Sequence, residues 1–126
     1  MLGSLYFYLH SQEKQELMSD LHGVDLMLQV TEDLMFLAEK GFVHRAITSH
    51  AVQLTRTGIA KLGQLELAVS EGECVGRPPD KGRQSLYNWL SPEVLINEEG
   101  SARQESDVYS LCCVIWELFT GEVPWG

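Results

Sequence analysis

The chain has 126 residues, room for one domain, and 44% of them are hydrophobic, which is enough for a folded core and excludes global disorder. Eighteen acidic against nine basic residues give a net charge of −9, which disfavours nucleic acid and anionic membrane surfaces, since both are held through Lys and Arg. Three cysteines, two of them adjacent, make no disulfide framework and suit a reducing compartment, and no signal peptide, transmembrane run or repeat is visible, so a soluble cytoplasmic or nuclear protein is expected.

In chain order, Gly3-Ser4-Leu5 opens a short amphipathic segment, LYFYLHSQ, with Ser4 placed to cap it. Residues 11–23 are polar, include Gly23 and read as a connection. From 24 to 40 the spacing predicts a long helix. Val24, Met27, Leu28, Thr31, Leu34, Met35 and Ala38 fall on one face, Leu26, Val30 and Leu37 widen it, and Gly41 closes the end. Residues 59–68, IAKLGQLELA, read as a pair of short strands, 69–85 as a loop rich in Gly, Pro and charge, and 97–105 as a second polar loop.

The stretch SDVYSLCCVIWELFTG, residues 106–121, is apolar on nearly every side, with only Ser110 and Glu117 plainly polar between Val108 and Phe119. Such a helix is buried, and it is too short and interrupted to span a bilayer. Ser106 or Asp107 is expected to cap it, Gly121 to end it, and Cys112 and Cys113 to serve as small core residues. His10, His22 and His50 have no metal-like spacing and are expected at the surface.

Several of these segments together resemble a protein kinase. The stretch GFVHRAITSHAVQL, residues 41–54, is similar to the family's catalytic loop G-x-x-H-R-D-L-x-x-x-N-x-x-L; KLGQLELA resembles K-I-x-D-F-G-L-A; Ser91-Pro92-Glu93 resembles A-P-E; and SDVYSLCCVIWELFTGEVPW resembles the central helix of the large lobe. The resemblance runs in family order from residue 3 to 126. It implies an α+β, predominantly helical fold, a partial kinase-like large lobe over residues 1–126. That piece would run from the end of the hinge through the central helix, with the small lobe and last helices absent. It further implies that SLYNWLSPEVL, residues 85–95, is the segment that receives substrate peptide.

The same comparison puts Ala46 at the catalytic base, Ala51 at the metal-binding Asn and Gln64 at the magnesium-binding Asp. Alanine can neither take a proton nor bind a metal, and magnesium sites in this chemistry are built on carboxylates and phosphate. Gln53 falls under the expected adenine ring, where a polar side chain weakens the stack, and Leu65-Glu66 replaces Phe-Gly. No catalytic residue, cofactor or metal is therefore expected, and magnesium-ATP is not expected to bind. Structural roles are implied for His44, packed beneath Leu65, and for Asp107, accepting N–H groups from residues 44–46. Glu93 would be left partly buried without its family partner, and Arg45 would pair with Glu71 or Glu73 or stay solvated.

The family reading is thus a pseudokinase. Within it, HRAITSHAVQL and LYNWLSPEVL resemble inactive kinases of germ-cell intercellular bridges, which implies a cytoplasmic scaffold in cytokinesis with midbody proteins as partners. An enzyme would need another carboxylate, such as Glu66 beside Gln64, to hold magnesium. A helical binding module unrelated to kinases is the other alternative.

Overall fold

The computed structural model describes residues 3–10, 20–76, 88–96 and 99–125. Strand β1 (Gly3–Ser4) leads into helix α1 (Leu5–His10), which the Ser4 hydroxyl caps by accepting the Phe7 N–H at 3.1 Å. Helix α2 (Asp20–Glu39) follows, then strands β2 (Phe42–Val43), β3 (Val52–Leu54) and β4 (Ala60–Leu62). Leu65–Leu67 form one 3-10 turn, and β5 (Val69–Ser70) and β6 (Cys74–Gly76) come next. Helix α3 (Pro92–Ile96), β7 (Glu99–Ser101) and helix α4 (Gln104–Thr120) complete the order.

Strands β1, β3 and β4 form an antiparallel sheet in that order, with Gly3 opposite Leu54 and Val52 opposite Leu62. Its outer edge is closed by a helix. Gln29 Oε1 accepts the Ala60 N–H at 2.7 Å, and Asp33 Oδ2 accepts the Leu62 N–H at 3.0 Å. Four residues of helix rise about 6 Å and two residues of strand about 6.6 Å, so side chains at i and i+4 on α2 match alternate amides of β4. Two smaller antiparallel pairs, β2 with β5 and β6 with β7, tie down the chain that leads from the sheet to α4. The main core lies between α2, α4 and the sheet, around Leu26, Val30, Ile47, Val52, Trp89 and Val114.

Several expectations change. Helix α2 starts four residues early, at Asp20, with Gly23 buried inside it. A Cβ at Gly23 would lie 3.2 Å from Leu118 Cδ2, so the glycine lets α2 and α4 approach closely. The buried side of α2 is Gly23, Leu26, Met27, Val30 and Leu34, whereas Val24, Leu28 and Met35 face outward. Gly41 does close the helix, at φ 84°. Only β4 and the 3-10 turn occupy 59–68; β5 and β6 occupy part of the expected 69–85 loop, the rest of which from residue 77 lies outside the described residues. The expected 97–105 loop contains β7.

Helix α4 is not covered all round. It buries Asp107, Ser110, Leu111, Val114, Glu117 and Leu118, spaced three and four apart, while Val108, Trp116 and Phe119 are half exposed. Its two polar interruptions therefore point inward. Cys112 is exposed and Cys113 only partly covered. Ser106 and Asp107 lie inside the first turn, and the N-cap is Arg103, with no side-chain cap. Gly121 ends the helix at φ 76°, its N–H on the Glu117 carbonyl. No described helix is long and apolar enough to cross a membrane.

Candidate active site

The loop between β2 and β3 carries the candidate site, and Asp107 in the first turn of α4 shapes it. Asp107 is buried; its Oδ2 accepts the His44 N–H at 2.7 Å and its Oδ1 the Arg45 N–H at 3.0 Å. Those two bonds hold Arg45 at φ 71°, a left-handed conformation that costs a residue with a Cβ of order 1 kcal/mol or more. Burial pushes the Asp107 carboxyl above its ordinary value, and the two N–H bonds oppose that shift.

His44 is wholly buried. The Ala46 N–H, which can only donate, points to His44 Nδ1 at 3.1 Å, so Nε2 carries the proton and donates to the Gly63 carbonyl at 2.7 Å. The imidazole is therefore neutral, in keeping with a pKa that burial holds below the ordinary histidine value. It joins the catalytic-loop turn to the segment after β4. Leu65, expected to lie over it, is 51% exposed on the 3-10 turn.

Ala46 is buried and packs in a small cluster with Leu90, edged by Leu67 and Val94. Ala51 is buried, and its carbonyl accepts the Gly63 N–H at 2.8 Å. Gln53, on β3, and Gln64, after β4, aim their carboxamides at one atom. Gln53 Nε2 lies 3.2 Å and Gln64 Nε2 3.4 Å from the His50 carbonyl oxygen, the second a weak bond. So Ala51, Gln53 and Gln64 are brought together around residues 50–51. What they gather is amide and alkyl chemistry, with no proton acceptor fit for a base. Glu66, the carboxylate an enzyme would need, is exposed on the 3-10 turn, and its charge acts on His44. Among the described residues no three His, Cys, Asp or Glu side chains cluster as a metal would require.

Two structural residues differ from expectation. Glu93 is exposed on α3 and accepts a hydrogen bond from Ser106 Oγ at 3.1 Å; its own backbone N–H and that hydroxyl hold its carboxyl below the ordinary value. Exposure removes the penalty foreseen for an unpaired buried charge. Arg45 donates from Nη1 to the Leu67 carbonyl at 3.2 Å, so a backbone oxygen is its direct partner, with Glu73 contributing charge at longer range.

The histidines held a larger surprise. His22 is exposed as expected. His10 Nε2 instead lies 2.6 Å from Glu117 Oε2, and the His50 ring stacks on Tyr6 with centroids 3.9 Å apart. Glu117 is wholly buried and also accepts Ser49 Oγ at 2.8 Å and Trp89 Nε1 at 3.0 Å. The signal was present in the sequence: Asp107, Ser110, Val114 and Glu117 share one helical face, so a polar stripe at that spacing marks the inside of α4.

A family model of protein tyrosine and serine/threonine kinases matches residues 1–126. The chain is 34% identical over 129 positions to the inactive serine/threonine-protein kinase TEX14 of Mus musculus, covering 98% of this chain and 9% of that protein. It is 33% identical to the protein of the same name from Bos taurus, covering 98% and 8%. It is 29% identical to the RAF proto-oncogene serine/threonine-protein kinase of Xenopus laevis, covering 97% and 19%. The chain thus spans less than a tenth of the two inactive kinases.

Proposed function

The chain belongs to the protein tyrosine and serine/threonine kinase family, and within that family we propose that it is a catalytically inactive member serving as a protein-interaction scaffold. The full-length family match sets aside a helical module unrelated to kinases. One observation carries the inactive reading. Where phosphoryl transfer needs a base and magnesium ligands, Ala46 and Ala51 are buried methyl groups, and Gln53 and Gln64 donate their amides to the His50 carbonyl. Loss of a single group that stabilises this transition state costs on the order of a thousandfold or more. The similar proteins named as inactive kinases support the same reading, while the likeness to RAF supports only the fold.

What remains is a scaffold with a fixed surface. The segment after the 3-10 turn is stitched to the body through backbone bonds: Glu71 N–H to the Gly41 carbonyl at 2.8 Å, Gly72 N–H to Ala102 at 2.8 Å, and Ala102 N–H to Glu73 at 2.9 Å. A segment held in this way offers a constant face to a protein partner with no phosphate to order it. We place that role in the cytoplasm, at the midbody and intercellular bridge of dividing cells, on the resemblance of residues 44–54 and 87–95.

The full-length protein is expected to show no magnesium-dependent phosphorylation of itself or of a generic substrate, with Ala46→Asp, Ala51→Asn, Gln64→Asp restored together as the control. Phosphorylation by the unaltered protein overturns the inactive reading. The tagged full-length protein is expected to concentrate at the midbody, and an even cytoplasmic signal through division would rule out the cytokinesis role.

A further inference from the structure

Helix α1 has six residues, far below the length at which a helix is stable by itself, so it persists through what it touches. Leu5 and Leu9 are buried, and the Tyr6 N–H reaches the Ser49 carbonyl at 3.0 Å. Its last residue supplies the remaining anchor, His10 Nε2 on Glu117 Oε2 at 2.6 Å. The same carboxylate holds the Ser49 hydroxyl and the Trp89 indole, so one buried charge joins α1, the catalytic-loop segment, the turn before α3, and α4. A second imidazole sits against this junction. Tyr6 lies between His10, at 4.6 Å, and His50, at 3.9 Å, and the His50 ring meets Trp89 edge-on at 5.8 Å.

We propose that His10, His50 and Glu117 form a pH-responsive latch, closed at neutral pH and opened by protonation of His50, that releases α1 from the body of the protein. One carboxylate compensates one imidazolium. With His10 on Glu117, a proton on His50 adds a second positive charge to a covered cluster holding no second acid. The groups facing His50 are Tyr6 and His10 from α1 and Glu117 from α4; Trp89 and the Gln53 and Gln64 amides are uncharged. Burial holds the His50 pKa below the ordinary value, Glu117 opposes that and His10 reinforces it. The sign follows: the released state, with His50 in water, binds the proton better than the closed one, so opening is favoured as pH falls below about 6.5.

The test is amide hydrogen exchange of the 126-residue chain at about pH 7.5 and about pH 5.5, each corrected for intrinsic rate. Opening of α1 is expected to rise about tenfold at the lower pH, the factor for one pH unit below an ordinary histidine. At both pH values α1 is expected to exchange faster than α4. His50→Phe keeps a ring on Tyr6 without a titrating nitrogen, and is expected to abolish the α1 response. Unchanged α1 exchange in the unaltered chain, or the same rise in His50→Phe, overturns the latch. So does α1 exchanging at the rate of α4 at the lower pH, which would mean release only by unfolding of the whole. Should His50→Phe not fold, the comparison of α1 with α4 in the unaltered chain decides alone.

Discussion

Asp107 does at one residue what a whole loop needs. Its two oxygens take the N–H groups of His44 and Arg45, and no other acceptor serves those amides. Asp107→Ala is expected to lower the unfolding free energy by about 3 kcal/mol, because each orphaned buried donor costs about 1–3 kcal/mol. Asp107→Asn keeps one acceptor oxygen and is expected to fall between. Glu93→Ala is the contrast: it is exposed and shares one hydroxyl contact, so less than about 0.5 kcal/mol is expected from its loss. Denaturant unfolding of the three variants checks the order, and a Glu93 effect equal to that of Asp107 would contradict the burial assigned to each. The Asp107 contact was legible in the sequence through the family resemblance, since a carboxylate at that position has a known backbone target. The state of Glu93 was not. Whether an acid is covered depends on what packs over α3, and local sequence carries no trace of it.

At the scale of elements, α2 and α4 show why periodicity found the helices and misplaced their faces. Both are apolar over a wide arc, so any chosen three-four pattern fits, and the side that packs is decided by a small residue. On α2 that residue is Gly23, which the sequence presents as a breaker because glycine disfavours helix by about 1 kcal/mol. Its role lies instead in the 3.2 Å and 3.3 Å that an added Cβ would leave to Leu118 and Phe119. Gly23→Ala adds helix propensity and one tight contact against a half-exposed phenyl ring that can move, so the net change is expected within about 1 kcal/mol. Gly23→Val adds two further carbons where Leu118 is packed and is expected to destabilise by about 1–3 kcal/mol. An unfolding midpoint for Gly23→Val equal to that of the unaltered chain would show that the helices do not meet there. The short strands were missed for a related reason. The pairs β2–β5 and β6–β7 involve two or three residues each, too few for alternation to register, and are fixed by partners distant in sequence.

At the scale of the whole molecule, the polar residues that α4 turns inward are matched by apolar ones turned outward. Val108, Cys112, Trp116 and Phe119, spaced four, four and three apart, run along its outer face, and Val24, Leu28 and Met35 do the same on α2. Trp116 also borders an open groove of about 440 Å3 with Tyr109, Cys112, Cys113, Pro124 and Trp125. Folded monomers seldom carry such faces bare. Covering even about 300 Å2 of them would contribute roughly 7 kcal/mol before the cost of association, at about 25 cal/mol per Å2. The 126-residue chain is therefore expected to self-associate, its average mass in light scattering rising with concentration through the micromolar range. Leu28→Glu with Trp116→Glu charges one residue on each face, about half exposed in both cases, and so leaves the core intact. That pair is expected to return the chain to a monomer with little change in the unfolding midpoint. If the unaltered chain is monomeric throughout, or the charged pair associates as strongly, these faces are not what draws chains together.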